Sequence, residues 1–357
     1  MITGNISGEI NGTWTVVHDS GEFSSAVTSY DITGLQGDTD IEYQLITRVV
    51  NGYAGANTIR FRLNSDSGSN YGIQNMLGES ATASAARYTG RNNIYIEDFS
   101  AASEIGMTTS HIFSKSGKAR TILTLVNNRA LGASVGQIRK AGNVWNNTAD
   151  ELTSINIYAD QSSGLGIGTR FILLKKVHNT NMQTGILTPN NIEGAWERIY
   201  SSTLTSASSS TSITGLSGNT DVVYKLITRI VNDESTPTYK MYFTSDTTNT
   251  NYGTQILQAS NSTITAPRAN NYIFFGYAEA SGQINMADTL IYAKSGYNRI
   301  FLLNNVCQIS GTTVGRVFIC GGVWNDSSTE ITSIDLTCNK ASGFGVGSNI
   351  ELYRLNL

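Results

Sequence analysis

Along residues 41–50 the chain alternates in character. Ile41, Tyr43, Leu45, Thr47 and Val49 fall on one side of an extended backbone, and Glu42, Gln44, Ile46, Arg48 and Val50 on the other. A period of two marks a β-strand, because successive side chains leave opposite faces of the pleat. The first set is almost wholly apolar and the second mixes charged with aliphatic residues, which predicts one face on a core and one looser face. Further strands are predicted over 58–63, 94–97, 119–126, 154–159 and 170–176. No stretch sustains the 3.6-residue period with caps that a helix requires.

The same pattern returns in the second half of the chain. DITGLQGDTDIEYQLITRVVN, beginning at Asp31, matches SITGLSGNTDVVYKLITRIVN, beginning at Ser212. SDSGSNYG from Ser65 resembles SDTTNTNYG from Ser245, SKSGKAR from Ser114 resembles AKSGYNR from Ala293, and NVWNNTADELTSI matches GVWNDSSTEITSI. The separation between partners drifts by only about three residues across the pairs, and a period this long is a domain rather than a solenoid repeat. The sequence therefore divides into copy one (1–177), a polar linker (178–195) and copy two (196–357), with residues 1–12 as a candidate N-terminal arm. Short strands, frequent turn signals and no helices predict an all-β chain: two tandem antiparallel β-sandwiches, jelly-roll-like, related by internal duplication.

Composition narrows the function. Charged residues are only 14% of the chain, so Ser, Thr, Asn and Gly must cover much of the surface. A net charge of -3 gives no reason to expect a nucleic-acid partner. No apolar run reaches the length of a membrane span, and the opening MITGNISGEI lacks the basic start and apolar core of a secretory signal. A protein made and used without classical secretion is expected, with neither nucleic acid nor membrane as partner.

Duplication also filters the candidate chemistry, since it separates what the fold uses twice from what occurs once. GLGIGTRFILLKK (164–176) has glycines at alternate positions that could cradle a phosphate. The dinucleotide fingerprint, however, needs G-x-G-x-x-G opening a helix, and here a strand follows. A tight corner where the chain enters the sheet explains Gly164, Gly166 and Gly168 better, and no cofactor is expected. None of His18, His111 and His178 recurs in the other copy, and no nucleophile motif joins one to a serine or cysteine. Cys320 and Cys338 stand where copy one has Ala141 and Ala159, so they read as small buried residues, whereas Cys307 stands opposite Asn128 and reads as nearer a surface. Their spacing suits no metal. Glu97 and Asp98 could suggest a glycosidase pair, but neighbours on a strand point to opposite faces. Asp38-Thr39-Asp40 and Ser65 to Asn70 carry oxygen ligands for calcium; turns need the same residues, and turn is the favoured reading. No catalytic or metal residue is thus assigned. Trp14, Trp145, Trp196 and Trp324 recur in pairs, with Tyr43 and Tyr224, and are read as structural anchors, with sugar-stacking platforms as the alternative for the tryptophans. Divergence concentrates in 80–91 against 260–271, a hint that one set of loops has been retuned.

The runs IRFRLNSDSGSNYG (59–72), SKSGKARTI (114–122), VWNNTADELTSINIYA (144–159) and GIGTRFILLK (166–175) resemble virion structural proteins of tailed bacteriophages, a broad group of β-sandwich modules that are often repeated. The resemblance covers both copies, departs at TSDTTNTNY where copy two lacks a glycine, and carries over no catalytic residues. It implies a non-enzymatic particle component, located in the virion and assembled in the host bacterial cytoplasm. A head decoration protein is the first expectation: homo-oligomeric, with the major capsid protein or other virion proteins as partners. A tail or fibre adhesin that binds host surface polysaccharide is the alternative.

Overall fold

The computed structural model describes residues 14–176, 195–260, 263–269, 271–278, 280–310 and 313–357. The arm (1–12), the linker apart from Ala195, and His178 lie outside the described residues. What is described is all-β: two repeated antiparallel sandwiches, one per copy.

In copy one the small sheet has the order β2 (Ser29–Thr33), β11 (Ser154–Ala159), β4 (Asn57–Leu63), β7 (Ile94–Phe99). The large sheet runs β1 (Trp14–Asp19), β12 (Arg170–Lys176), β3 (Glu42–Val50), β8 (Ile105–Phe113), β9 (Arg120–Leu131), β10 (Ser134–Trp145), β5 (Tyr71–Glu79), β6 (Thr82–Arg91). Its first four strands, with the small sheet, have the pairing of a jelly roll. The β5–β6 and β9–β10 hairpins are additions that extend the large sheet sideways past the small one. Copy two repeats this plan, except that the counterpart of β6 is broken into two short strands, Thr263–Thr265 and Arg268–Ala269, separated by Ala266 and Pro267. Proline cannot donate to a ladder, which interrupts the strand.

Within each sandwich the alternation places Tyr43, Leu45, Phe61, Ile96, Ile112, Ile155 and Phe171 in one core. One helical turn (Gly37–Asp40) precedes β3, and the Tyr43 hydroxyl locks it by donating to Asp40 Oδ2 at 2.6 Å while accepting from the Gln36 amide at 3.1 Å. Tyr224 does the same with Asp221 Oδ2 (2.7 Å) and the Ser217 amide (3.2 Å). Gly164, Gly166 and Gly168 form a corner with close backbone approach: the Gly166 amide bonds Val50 O at 2.8 Å, and Gly168 has φ +84°.

The looser face expected for β3 is buried instead, and all nine residues of the strand are buried. The cause is copy two, whose large sheet packs against the outer face of the copy-one large sheet. Ile46, Met107, Leu125 and Ile138 of copy one join Val223, Tyr292, Ile300, Leu302 and Val323 of copy two in a third apolar cluster. Several polar side chains cross the contact, among them Tyr292 and Lys294 to Glu22, and Arg48 and Asn127 are buried within it. The Arg48 guanidinium lies 4.9 Å from the Tyr292 ring centre and 4.2 Å from that of Tyr297, and burial lowers its pKa. Asn127 donates through Nδ2 to Phe301 O and Gly322 O, both at 3.0 Å. It fills space that a Cβ on Gly321 would occupy, since that atom would stand 2.6 Å from Asn127 Cγ.

One buried charge distinguishes the copy-one core. Glu97 is fully inaccessible, and its Oε1 accepts from Thr47 Oγ1 at 3.0 Å and Thr108 Oγ1 at 2.9 Å. Burial raises its pKa to about 8, against the two hydroxyl bonds, so the carboxyl is largely protonated at neutral pH. The folded state therefore holds a proton that the unfolded chain releases near its ordinary value. The stabilisation is complete below about pH 4.5 and is lost as pH rises to about 8, at up to ~1.4 kcal/mol per pH unit. Glu97→Gln should flatten this slope. Urea midpoints at pH 5 and pH 8 should converge in the variant and differ by a few kcal/mol equivalent in the parent, and parallel behaviour of the two proteins would refute the assignment.

Candidate binding cleft

The two added hairpins carry the large sheet beyond β7, the edge strand of the small sheet, so in copy one the inner faces of β10, β5 and β6 overhang. The angle between overhang and edge encloses a cavity of about 410 Å³. That volume lies within the ~300–1,000 Å³ usual for small-molecule sites.

Arg139 forms its floor. Alternation on β10 puts it on the same side as Ala141 and Trp145, so a cation is carried on the core side of the strand and is only 6% exposed. Its guanidinium carbon lies 4.1 Å from the centre of the Tyr95 ring, and Nη2 reaches Tyr95 Oη at 3.3 Å. Nε and Nη1 are buried and have no hydrogen-bond partner among the described residues. Burial lowers the Arg139 pKa, and the nearby Tyr95 and Asp98 act in the opposite sense. Arg129 occupies the wall with its charge already spent: Nη1 donates to Glu79 Oε1 at 2.7 Å, Nη2 pairs with Asp98, and Nε donates to Asp98 O at 3.2 Å. Tyr88 and Arg91 of β6 stand at the rim, the guanidinium 5.5 Å from the ring centre.

Among the described residues of copy two the same angle is filled differently. Phe318 replaces Arg139 and Phe274 replaces Tyr95, with ring centres 5.1 Å apart, so aromatic packing takes the place of the charge at this position, while Arg316, where copy one has Gln137, lies 4.2 Å from the Tyr277 ring centre. Among the described residues, a cleft floored by a buried arginine at this position is thus a property of copy one. Arg139 carries no motif that marks it in the sequence. Its signal was a charge on the core-facing register of β10 where copy two has phenylalanine, together with the divergent segment 80–91 that contributes Tyr88 and Arg91.

The sequence-singled residues fall elsewhere. Trp145 and Trp324 are fully buried and equivalent: each donates Nε1 to a turn aspartate, Asp66 or Asp246, at 2.7 Å, and each stacks on a tyrosine, Tyr71 or Tyr252, at 6.4 Å. Arg120 and Arg299 cover the two rings at 4.9 Å. Trp14 and Trp196 are half-buried at the contact between copies, Trp14 meeting His111 edge-on at 5.8 Å. His18 Nε2 lies 2.9 Å from Tyr30 Oη. Glu97 and Asp98 do point apart, one into the core and one to Arg129. Cys307 is buried and Cys338 half-buried, the reverse of their expected exposures. The reason for Cys307 is its place on the strand Arg299–Ser310, paired on both sides within the sheet. Asp38 accepts from Ser116 N (2.6 Å) and Oγ (2.7 Å), Asp40 from Lys175 Nζ (2.9 Å), and Asp66 from Gly68 N and Asn70 Nδ2 (both 2.8 Å), so these carboxylates are spent on turns and pairs. Among the described residues no three His, Cys, Asp or Glu side chains converge.

No family profile matches the chain, and no curated protein matches it in sequence. Among solved structures it is similar to domains LG4-5 of the mouse laminin alpha1 chain, at 8% identity over 94% of this chain and 91% of that one, with a TM-score of 0.17. It is also similar to the GH43 protein BlXynB of Bacillus licheniformis (9% identity, 71% of this chain and 60% of that one, TM-score 0.20) and to Ail, the attachment invasion locus protein of Yersinia pestis (7% identity, 76% and 99%, TM-score 0.12). Likeness at this level carries no argument about activity.

Trp145→Ala should destabilise copy one by roughly 3–5 kcal/mol, because the cavity it leaves is walled by two sheets. An unchanged denaturation midpoint would mean that the ring packs nothing.

Proposed function

We propose that this chain is a non-enzymatic structural component of a tailed-phage particle, a decoration protein attached to the head surface. One observation carries the docking part of the reading. The outer face of the large sheet is a protein-docking surface in copy two, where Tyr292 and Leu302 are 2% and 1% exposed against copy one. The equivalent copy-one residues, Phe113 and Leu123, are 50% and 49% exposed. With Tyr88, Thr121 and Val144 they line an open apolar depression of about 480 Å³. A surface of the type that holds the two copies together is therefore available to a further partner, and contiguous exposed apolar patches mark such sites. The placement in a phage head is supported by the resemblance of the strand and turn motifs. Recognition of host polysaccharide by a tail or fibre adhesin is a second reading, favoured by the copy-one cleft.

Quantitative mass spectrometry of purified virions should find this chain at a copy number comparable with the major capsid protein. A handful per particle would move it to the neck or tail. Phe113→Ser with Leu123→Ser should reduce its retention on particles at least tenfold while leaving the melting temperature within a few degrees, since both side chains are half in water already. Full retention of the double variant would remove the outer face as the docking surface.

A further inference from the structure

The cleft under the copy-one overhang contains a cation that the fold does not satisfy. Arg139 is nine-tenths buried, two of its nitrogens lack acceptors, and the cavity lies before it. A buried donor without a partner costs free energy that an incoming acceptor recovers, and the recovery is greatest for an anion in a low-dielectric site. The acids of the cleft do not supply that anion: Glu79 and Asp98 are both engaged by Arg129, while Arg60 pairs with Asp160 outside. Because Glu79 and Asp98 share the single charge of Arg129, Arg139 and Arg91 together leave the cleft with one net positive charge.

Shape and lining narrow the ligand. A lone inorganic ion would leave most of about 410 Å³ empty. The walls combine tyrosine rings, Tyr88 and Tyr95, with the amides of Asn75 and Gln137. Aromatic faces take a flat, weakly polar ring surface, and amides take hydroxyls in either direction. We propose that this cleft is a binding site for a carboxylate-bearing sugar of the uronic-acid type, its carboxylate on Arg139 and its ring against the tyrosine-lined wall. The inference does not depend on where in a particle the chain sits: a low copy number in virions would overturn head decoration and leave it standing.

The test is isothermal calorimetry on the full chain, with saturation-transfer NMR as a second readout, using glucuronate, glucose and inorganic phosphate as probes. Glucuronate should bind saturably, and glucose at least tenfold more weakly. Phosphate should neither match its affinity nor displace it fully. Arg139→Met should weaken glucuronate at least tenfold with the fold intact, because copy two carries Phe318 at this position and shows that an apolar side chain is accommodated there. Should that variant fail to fold, Tyr88→Ala and Arg91→Ala, both at exposed rim positions, should each weaken binding severalfold at unchanged melting temperature. The proposal is overturned by the absence of saturable glucuronate binding or by equal affinity for glucose. Phosphate equalling glucuronate, or binding indifferent to Arg139→Met and to both rim variants, overturns it as well.

Discussion

A sheet of eight strands cannot be covered by a sheet of four. In copy one this mismatch leaves half of the inner face of the large sheet without the partner that a simple sandwich would supply, and the outer face is apolar in places as well. Apolar strand faces left in water are unstable against association, and apart from the exposed patch at Phe113 and Leu123 the uncovered parts are dealt with within the chain. The outer face at the Arg48 end of the sheet is covered by copy two, and the inner overhang becomes a cleft in copy one and an aromatic plug in copy two.

The contact between copies also shows how polar residues are admitted into a sheet-on-sheet interface. Arg48 enters without a direct ion pair among the described residues, with Glu22 acting on it at longer range, and is held by a carbonyl and two tyrosine rings, its Nη1 donating to Gly168 O at 2.5 Å. Asn127 ties two carbonyls of the facing strands, and the absence of a side chain at Gly321 makes room for it. Both residues give the contact a register that apolar packing alone would leave loose, because a shift by one residue would strand buried donors. The partner of Arg48 in copy two, Arg229, lies exposed, so the contact uses different ends of the two sheets and is not self-complementary.

Much of this was legible in the chain. The strands over 154–159 and 170–176 are bounded by turn residues on both sides, and alternation alone locates them. The strand foreseen over 119–126 runs on to Leu131 instead, because Asn127 and Asn128 look like a turn in sequence but are buried as ladder residues. The covered outer face of β3 was not legible: Glu42, Gln44 and Arg48 are what a solvent-facing register looks like, and only the second copy makes that register interior. The cleft was half legible. Segment 80–91 stood out by divergence, yet Arg139 lies in an ordinary strand whose register becomes meaningful only when Trp145 and Ala141 are known to face inward.

The buried polar groups of the two cores have a consequence for how such a gene can change. In copy one the group is Glu97 on β7, opposite Gly106, where a Cβ would sit 2.5 Å from Glu97 Oε2. In copy two the arrangement is exchanged: Gly276 stands in the place of Glu97 and Asn285 in that of Gly106, and a Cβ on Gly276 would lie 2.7 Å from Asn285 Oδ1. Glutamate and asparagine cannot occupy the two strands of one copy together, and two glycines would leave a void. Recombination between the repeats, the usual hazard of a tandem duplication, would join one copy's β7 to the other's following strand whenever a crossover fell between these codons. Such hybrids would be overfilled or hollow at the centre. The exchange of one side chain between two strands that face each other across the sandwich thus sets a barrier to recombination between the two halves.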